Sequence, residues 1–197
     1  MPTPSREKII HEERLEKHLV SMPFYVVEYV RSKKRAKYSP STLLGYVHEF
    51  EKFFTWLKEE GISKAGHIKE TPLSILEKLS KEDIEFYIEH LQEEIISERE
   101  GIKKKRSDNA VLRNINALKS LFNYLTQETE YTESEFKGEC YFYRNVFSKI
   151  KMNKPKEAAS RRAKKINSVI LTDKDINDFL NFLKCDYVKK LNERQLK

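Results

Sequence analysis

The stretch that decides the fold is YSPSTLLGYVHEFEKFFTWLKEEG, residues 38–61, because it predicts one long amphipathic helix. Ser39 is a good N-cap residue, and Pro40 is well tolerated at the first helical position. Gly61 is typical of the residue that follows a helix C-terminus. The apolar residues recur at helical spacing on one wide face, which consists of Leu43, Tyr46, Val47, Phe50, Phe53, Phe54 and Leu57.

The aromatic residues of this helix, with Trp56, are expected in the core rather than in contact with nucleic-acid bases, because most of them lie on the apolar stripe. The same periodicity predicts further helices over residues 5–20, 22–35, 72–79, 80–100 and 107–126, a short packed helix over 141–150, and a last helix that begins at Thr172. Ser80 and Thr172 are each followed three positions later by an aspartate, which is a variant of the capping box.

Composition agrees with an all-α fold. The chain has 197 residues, of which 39% are hydrophobic and 35% charged, with only five Gly and six Pro. A β-sandwich needs more turn residues than this. We expect four segments: a charged helix over 1–21, a helical domain over 22–150, a basic linker over 151–168, and the start of a second, truncated domain over 169–197.

Several classes of function are disfavoured. The five histidines and two cysteines show no metal-ligand spacing, and the sequence has no phosphate-binding glycine loop or nucleophile elbow, so we expect no metal, no cofactor and no catalysis within these residues. No apolar run approaches the roughly 20 residues of a membrane span, and the N-terminus is charged throughout. The expected location is the cytoplasm.

Positive charge indicates the partner. The formal net charge is +7 and the isoelectric point is about 9.2, so polyanions are the first candidate binding partners. Three basic clusters stand out, over residues 31–37, 103–106 and 151–165. The first two clusters immediately precede predicted helices, and the first turn of each of these helices carries short polar side chains. Cations are unfavourable at a helix N-terminus in isolation, but helix N–H groups, hydroxyls and cations together form an anion site.

We therefore predict that these clusters face the DNA backbone and that the helix beyond each of the first two lies in or across a groove. The first set is Lys33, Lys34, Arg35, Lys37, Ser39, Ser41 and Thr42; the second is Lys103, Lys104, Lys105, Arg106 and Ser107; the linker set is Lys154, Lys156, Arg161, Arg162 and Lys164.

Helix 107–126 also offers side chains that recognise bases. Asn109, Arg113 and Asn116 fall on one side, with Lys119 near by and the leucines opposite. Asn and Arg pair bidentately with adenine and guanine edges. The competing interpretation is a non-enzymatic helical interaction module whose basic patches only increase solubility.

Two of these stretches carry a family resemblance. Residues 38–62 followed by NAVLRNINALKSLFNYL, residues 109–125, resemble the core-binding domain of tyrosine recombinases. The matching positions are Thr42, Tyr46, Phe53, Phe54, Trp56, Leu57, Arg113, Ile115, Ala117 and Leu118. Three further stretches (22–43, 72–88 and 140–150) resemble the Xer type within that family, and the resemblance covers nearly all of residues 10–185.

The resemblance implies a SAM-like bundle of four to five helices that forms half of a clamp around duplex DNA. Helices 40–60 and 107–126 would lie across or in the major groove, and linker 151–165 would follow the duplex into a catalytic domain of which 169–197 is only the first helix. The family's first catalytic arginine lies in a Gly-x-Arg-x-x-Glu context that this sequence does not contain.

The whole protein is then expected to cut and rejoin DNA through a phosphotyrosine link at a dif-like site, for chromosome dimer resolution at cell division. Its protomers would assemble as a tetramer on two DNA sites, a DNA translocase is a further partner that the resemblance allows, and no metal or nucleotide cofactor is needed. A phage or transposon integrase is the alternative within the family.

Overall fold

The computed structural model describes residues 5–99, 102–130, 138–153, 159–167 and 169–187, and most of these residues are helical. Its helices are α1 (Arg6–Leu19), α2 (Phe24–Arg35), α3 (Pro40–Glu59), α4 (Leu73–Lys78), α5 (Lys81–Glu93), α6 (Asp108–Asn123), α7 (Ala159–Asn167) and α8 (Asp173–Asn181). Strands β1 (Ile95–Arg99) and β2 (Ile102–Lys105) form an antiparallel hairpin. The prediction of a mainly α-helical fold is confirmed.

Two compact units divide the chain, Met1–Lys154 and Pro155–Lys197. The first contains α1 to α6 and the hairpin, and the second contains α7 and α8. Each unit is described by itself. Among the described helices, none combines the length and the apolar character that a membrane crossing requires.

Helix α3 lies at the centre of the first unit, and its aromatic residues form the core as predicted. Phe50, Phe53, Phe54 and Trp56 are all buried. The ring of Phe53 lies 5.0 Å from that of Tyr87 on α5 and 6.3 Å from that of Phe147, measured between ring centroids. Tyr29 on α2 reaches Phe50 at 5.5 Å. These edge-to-face contacts hold the helices at fixed positions around α3.

The predicted helix starts are confirmed by their caps. The Ser39 hydroxyl accepts a hydrogen bond from the Thr42 amide at 3.2 Å, and Ser107 accepts one from the Ala110 amide at 3.4 Å. Ser80 and Asp83 bond reciprocally, as do Thr172 and Asp175. Each cap satisfies amide groups that have no partner within the helix.

The helix predicted over residues 80–100 is wrong after Glu93. Helix α5 ends there, and the chain enters β1 at Ile95. The β-branched pair Ile95 and Ile96 favours an extended backbone. Arg106 closes the hairpin by donating its amide hydrogen to the Glu94 carbonyl oxygen at 3.2 Å. The three lysines that precede Arg106 therefore lie in a strand and not against the first turn of a helix.

The segment over 141–150 is packed as predicted, but its helix is shorter. Only a 3₁₀ turn over Val146–Lys149 forms, while Phe142, Val146, Phe147 and Ile150 are buried against the core. In the predicted linker, α7 is helical. Lys154 and Lys156 lie outside the described residues, as do the side chains of Arg161 and Arg162.

Candidate nucleic-acid interface

A partly buried hydrogen bond joins helices α3 and α6 beside their apolar contact. The Asn114 side-chain amide donates to Glu49 Oε2 at 2.8 Å. A groove of about 590 Å³ runs along this junction between α3, α5 and α6. Its lining includes Gly45, His48 and Lys52 of α3, together with Arg113 of α6. The structure thus brings the exposed face of α3 and the candidate base-reading arginine to one surface.

The predicted base-reading face of α6 is exposed. Asn109, Arg113 and Asn116 are open to solvent, whereas Val111 and Ile115 on the opposite side are fully buried. The packing of the apolar face presents the polar face outward because both follow the same helical period.

Part of the first predicted set is exposed to solvent near the start of α3. Arg35, Lys37, Ser41 and Thr42 are exposed, and the Ser39 hydroxyl lies 3.0 Å from Ser41 Oγ and 2.8 Å from Thr42 Oγ1. Lys37 has a left-handed backbone with φ of +62° at the turn between α2 and α3. This turn lines a hollow of about 730 Å³ that it shares with the first turns of α1, including Glu7, Lys8 and Glu12.

Four of the predicted cations already have partners within the protein. Lys33 Nζ lies 2.8 Å from Glu128 Oε1, and its side chain is only 12% exposed. The Arg106 guanidinium pairs with Glu94, and its side chain is 8% exposed. Lys34 Nζ lies 2.5 Å from Glu16 Oε1, and Lys119 Nζ donates to the Ile150 carbonyl oxygen at 2.7 Å. These contacts give all four a structural role, and their contact with DNA stays a prediction.

The hairpin carries the three lysines of the second set. Lys103, Lys104 and Lys105 are exposed on β2, where the backbone of Lys103 pairs with Glu98 and that of Lys104 with Ser97. Successive strand side chains point to opposite faces, so the hairpin presents positive charge on both sides. Its two ends are anchored beside the groove, because Glu94 lines the groove and pairs with Arg106.

Of the linker set, Lys164 is exposed on α7. It belongs to the second unit, and its contact with DNA stays a prediction, as does that of Lys154, Lys156, Arg161 and Arg162.

Four glutamates also line the groove, and three of them have a polar or charged partner. Glu49 accepts from Asn114 and lies 3.7 Å from Lys52 Nζ. Glu51 Oε2 lies 3.2 Å from His18 Nδ1, and Glu94 is bound to Arg106. Burial lowers the pKa of His48, and the neighbouring His18 lowers it further. His48 is therefore neutral near pH 7 and adds no charge to the groove.

Gly45 is one of several groove residues that the sequence patterns did not single out as site residues. A signal was present, because an isolated glycine inside a strong helical pattern is destabilising by roughly 1 kcal/mol relative to alanine. The buried Asn114 was likewise hidden, since its contact with Glu49 depends on the crossing of two helices.

Comparison with curated proteins identifies close sequence relatives. Over 184 residues, 93% of this chain, it is 39% identical to the tyrosine recombinase XerS of Streptococcus sanguinis strain SK36 and to that of Streptococcus gordonii strain Challis. It is 38% identical to the XerS of Streptococcus pneumoniae strain Hungary19A-6 over the same length. The chain is a relative of the Xer-type tyrosine recombinases. The resemblance that the sequence motifs indicated is confirmed.

This chain spans about half the length of these Xer-type relatives, since the matched region is 51% of each. No family model matches it, and no solved structure gives a significant match.

Proposed function

We propose that the first unit of this Xer-type relative binds duplex DNA and positions it for strand cleavage carried out elsewhere in the whole protein. The observation that carries the proposal is the shared surface of α3 and α6. Gly45 and Lys52 of α3 line one groove with Arg113, and the exposed Asn109 and Asn116 flank that arginine along α6.

The surface separates into two kinds of contact. One set can bind phosphate oxygens, because it offers hydroxyl donors and point charges. This set consists of Lys37, Ser41, Thr42 and the hairpin lysines. Asn109, Arg113 and Asn116 are suited to base edges in the major groove, which admits an α-helix and also a two-stranded β-ribbon. This division predicts that the first set controls affinity and the second controls sequence preference.

For the whole protein we propose site-specific recombination. It would cut and rejoin DNA at a dif-like site through a phosphotyrosine link, act as a tetramer of protomers on two DNA sites, and resolve chromosome dimers in the cytoplasm at cell division. The phosphotyrosine keeps the energy of the broken phosphodiester bond, so the reaction needs no nucleotide. The support is the sequence identity with proteins named tyrosine recombinase XerS.

Footprinting tests this proposal. The 197-residue chain is incubated with a duplex that carries a candidate dif-like sequence from the host chromosome, and with a scrambled duplex of the same composition. We expect protection confined to the dif-like sequence at a salt concentration where the scrambled duplex is unprotected. Selective protection of a third duplex, which carries a phage attachment sequence, would assign the integrase role, and protection of none of the duplexes at low salt would contradict DNA binding by this unit.

A further inference from the structure

Gly45 stands out because neither its backbone nor its packing calls for a glycine. It lies inside the 20-residue helix α3, and the described glycines with positive φ are Gly61 and Gly138. A Cβ atom built on Gly45 meets no other atom within 4 Å. Alanine would therefore fit the folded chain and favour the helix more strongly.

The surroundings of Gly45 indicate what approaches it. One turn before it on α3 stand the exposed hydroxyls of Ser41 and Thr42, and two turns after it stands Lys52. Arg113 reaches the same groove from α6. The stretch from Ser41 to Lys52 covers about 16 Å of helix at 1.5 Å per residue. Gly45 is thus a gap between the exposed hydroxyls at the start of α3 and the charged pair of Glu49 and Lys52 further along it.

The nearest carboxylate has a cation beside it, which weakens its repulsion of an anion at this gap. Glu49 lies one turn after Gly45, but it is hydrogen-bonded to Asn114 and lies close to Lys52. None of the described residues that line the groove is a large exposed hydrophobic side chain.

We propose that Gly45 is the point at which the sugar-phosphate backbone of duplex DNA approaches α3 most closely, with the missing side chain making room for it. This inference rests on the proposed function and deepens it. Such a contact is with the backbone and is independent of base sequence. A side chain at position 45 holds the DNA away from Ser41, Thr42 and Lys52 together, so affinity falls for every duplex.

The inference predicts that a side chain at position 45 raises the stability of the protein and lowers its affinity for DNA. Gly45→Ala is expected to raise the Tm by roughly 2–4 °C, because alanine favours the helix. The affinity for a fluorescein-labelled duplex of about 30 base pairs and arbitrary sequence, measured by anisotropy at low salt, is expected to fall about tenfold. Gly45→Leu is expected to weaken binding by roughly a hundredfold.

Matched controls lie on α4. Ser74 is exposed and outside the groove, so Ser74→Ala and Ser74→Leu are expected to leave the affinity unchanged. Equal DNA affinity of Gly45→Ala and the unaltered chain overturns the inference alone, and so does a lower Tm of Gly45→Ala, which would reveal a structural need for glycine. Failure of the unaltered chain to bind any duplex at low salt overturns the proposed function as well.

Discussion

At the scale of single residues, two positions hold residues that do not give the most stable folded chain. Gly45 weakens helix α3 by roughly 0.5–1 kcal/mol relative to alanine. Lys37 adopts a left-handed conformation that favours glycine, at a cost of roughly 1–2 kcal/mol for other residues. Both face the surface that we assign to DNA, so function and stability are expected to oppose each other there.

Lys37→Gly is the direct test of that opposition at the α2–α3 turn. Glycine relieves the left-handed strain, so the free energy of unfolding in urea is expected to rise by about 1 kcal/mol. One phosphate contact is lost, so the slope of log affinity against log salt is expected to become shallower by about 0.9. Lys37→Ala, which removes the charge without the relief, serves as the control. An unchanged slope in both variants would exclude a phosphate contact.

Arg113→Ala tests base reading on α6. If the guanidinium pairs with a guanine edge, its loss is expected to weaken binding to the preferred duplex by about 1–3 kcal/mol more than binding to a scrambled duplex. Titrations of both duplexes at one salt concentration provide the comparison. Lys78→Ala, which removes an exposed cation on α4, should leave this difference intact. An equal loss on both duplexes would make Arg113 a phosphate contact only.

At the scale of elements, the hairpin shows where reasoning from sequence stops. The helix starts were predictable because each cap depends on residues three positions apart, as Ser80 and Asp83 illustrate. The end of α5 was not predictable, because Ile95–Arg99 and Ile102–Lys105 form strands by pairing with each other. Arg106 stood in a run of four cations, yet it alone is drawn into the fold by Glu94.

Substitutions of the three lysines and of the arginine are therefore expected to have different effects on DNA binding and on stability. Replacing Lys103, Lys104 and Lys105 together with glutamine is expected to reduce the salt slope by up to about 2.7, at 0.9 per phosphate contact, with the unfolding free energy unchanged within about 0.5 kcal/mol. Arg106→Gln is expected to lower the unfolding free energy by about 1–3 kcal/mol, because it removes the partner of Glu94.

Urea denaturation and salt-dependent anisotropy of both variants measure these effects. A stability loss in the triple-lysine variant with an unchanged salt slope would reverse the assignment of the two roles within the hairpin.

At the scale of the whole molecule, the mainly α-helical fold, its core and the similarity to Xer-type recombinases followed from the sequence, because helical periodicity and motif order are local patterns. The sequence did not predict which cations are available to contact DNA and which are bound within the protein. Lys33 and Lys119 are bound to Glu128 and to the Ile150 carbonyl oxygen, which are remote along the chain. The groove beside Gly45 likewise depends on how α3, α5 and α6 cross.

The salt dependence of duplex binding by the 197-residue chain tests the central claim most directly. A surface that neutralises about six phosphates predicts a slope of log affinity against log salt near −5, and a loss of affinity of roughly a thousandfold between 50 and 200 mM salt. A slope near zero, or no binding to duplex DNA at 50 mM salt, would contradict the assignment of this surface to DNA.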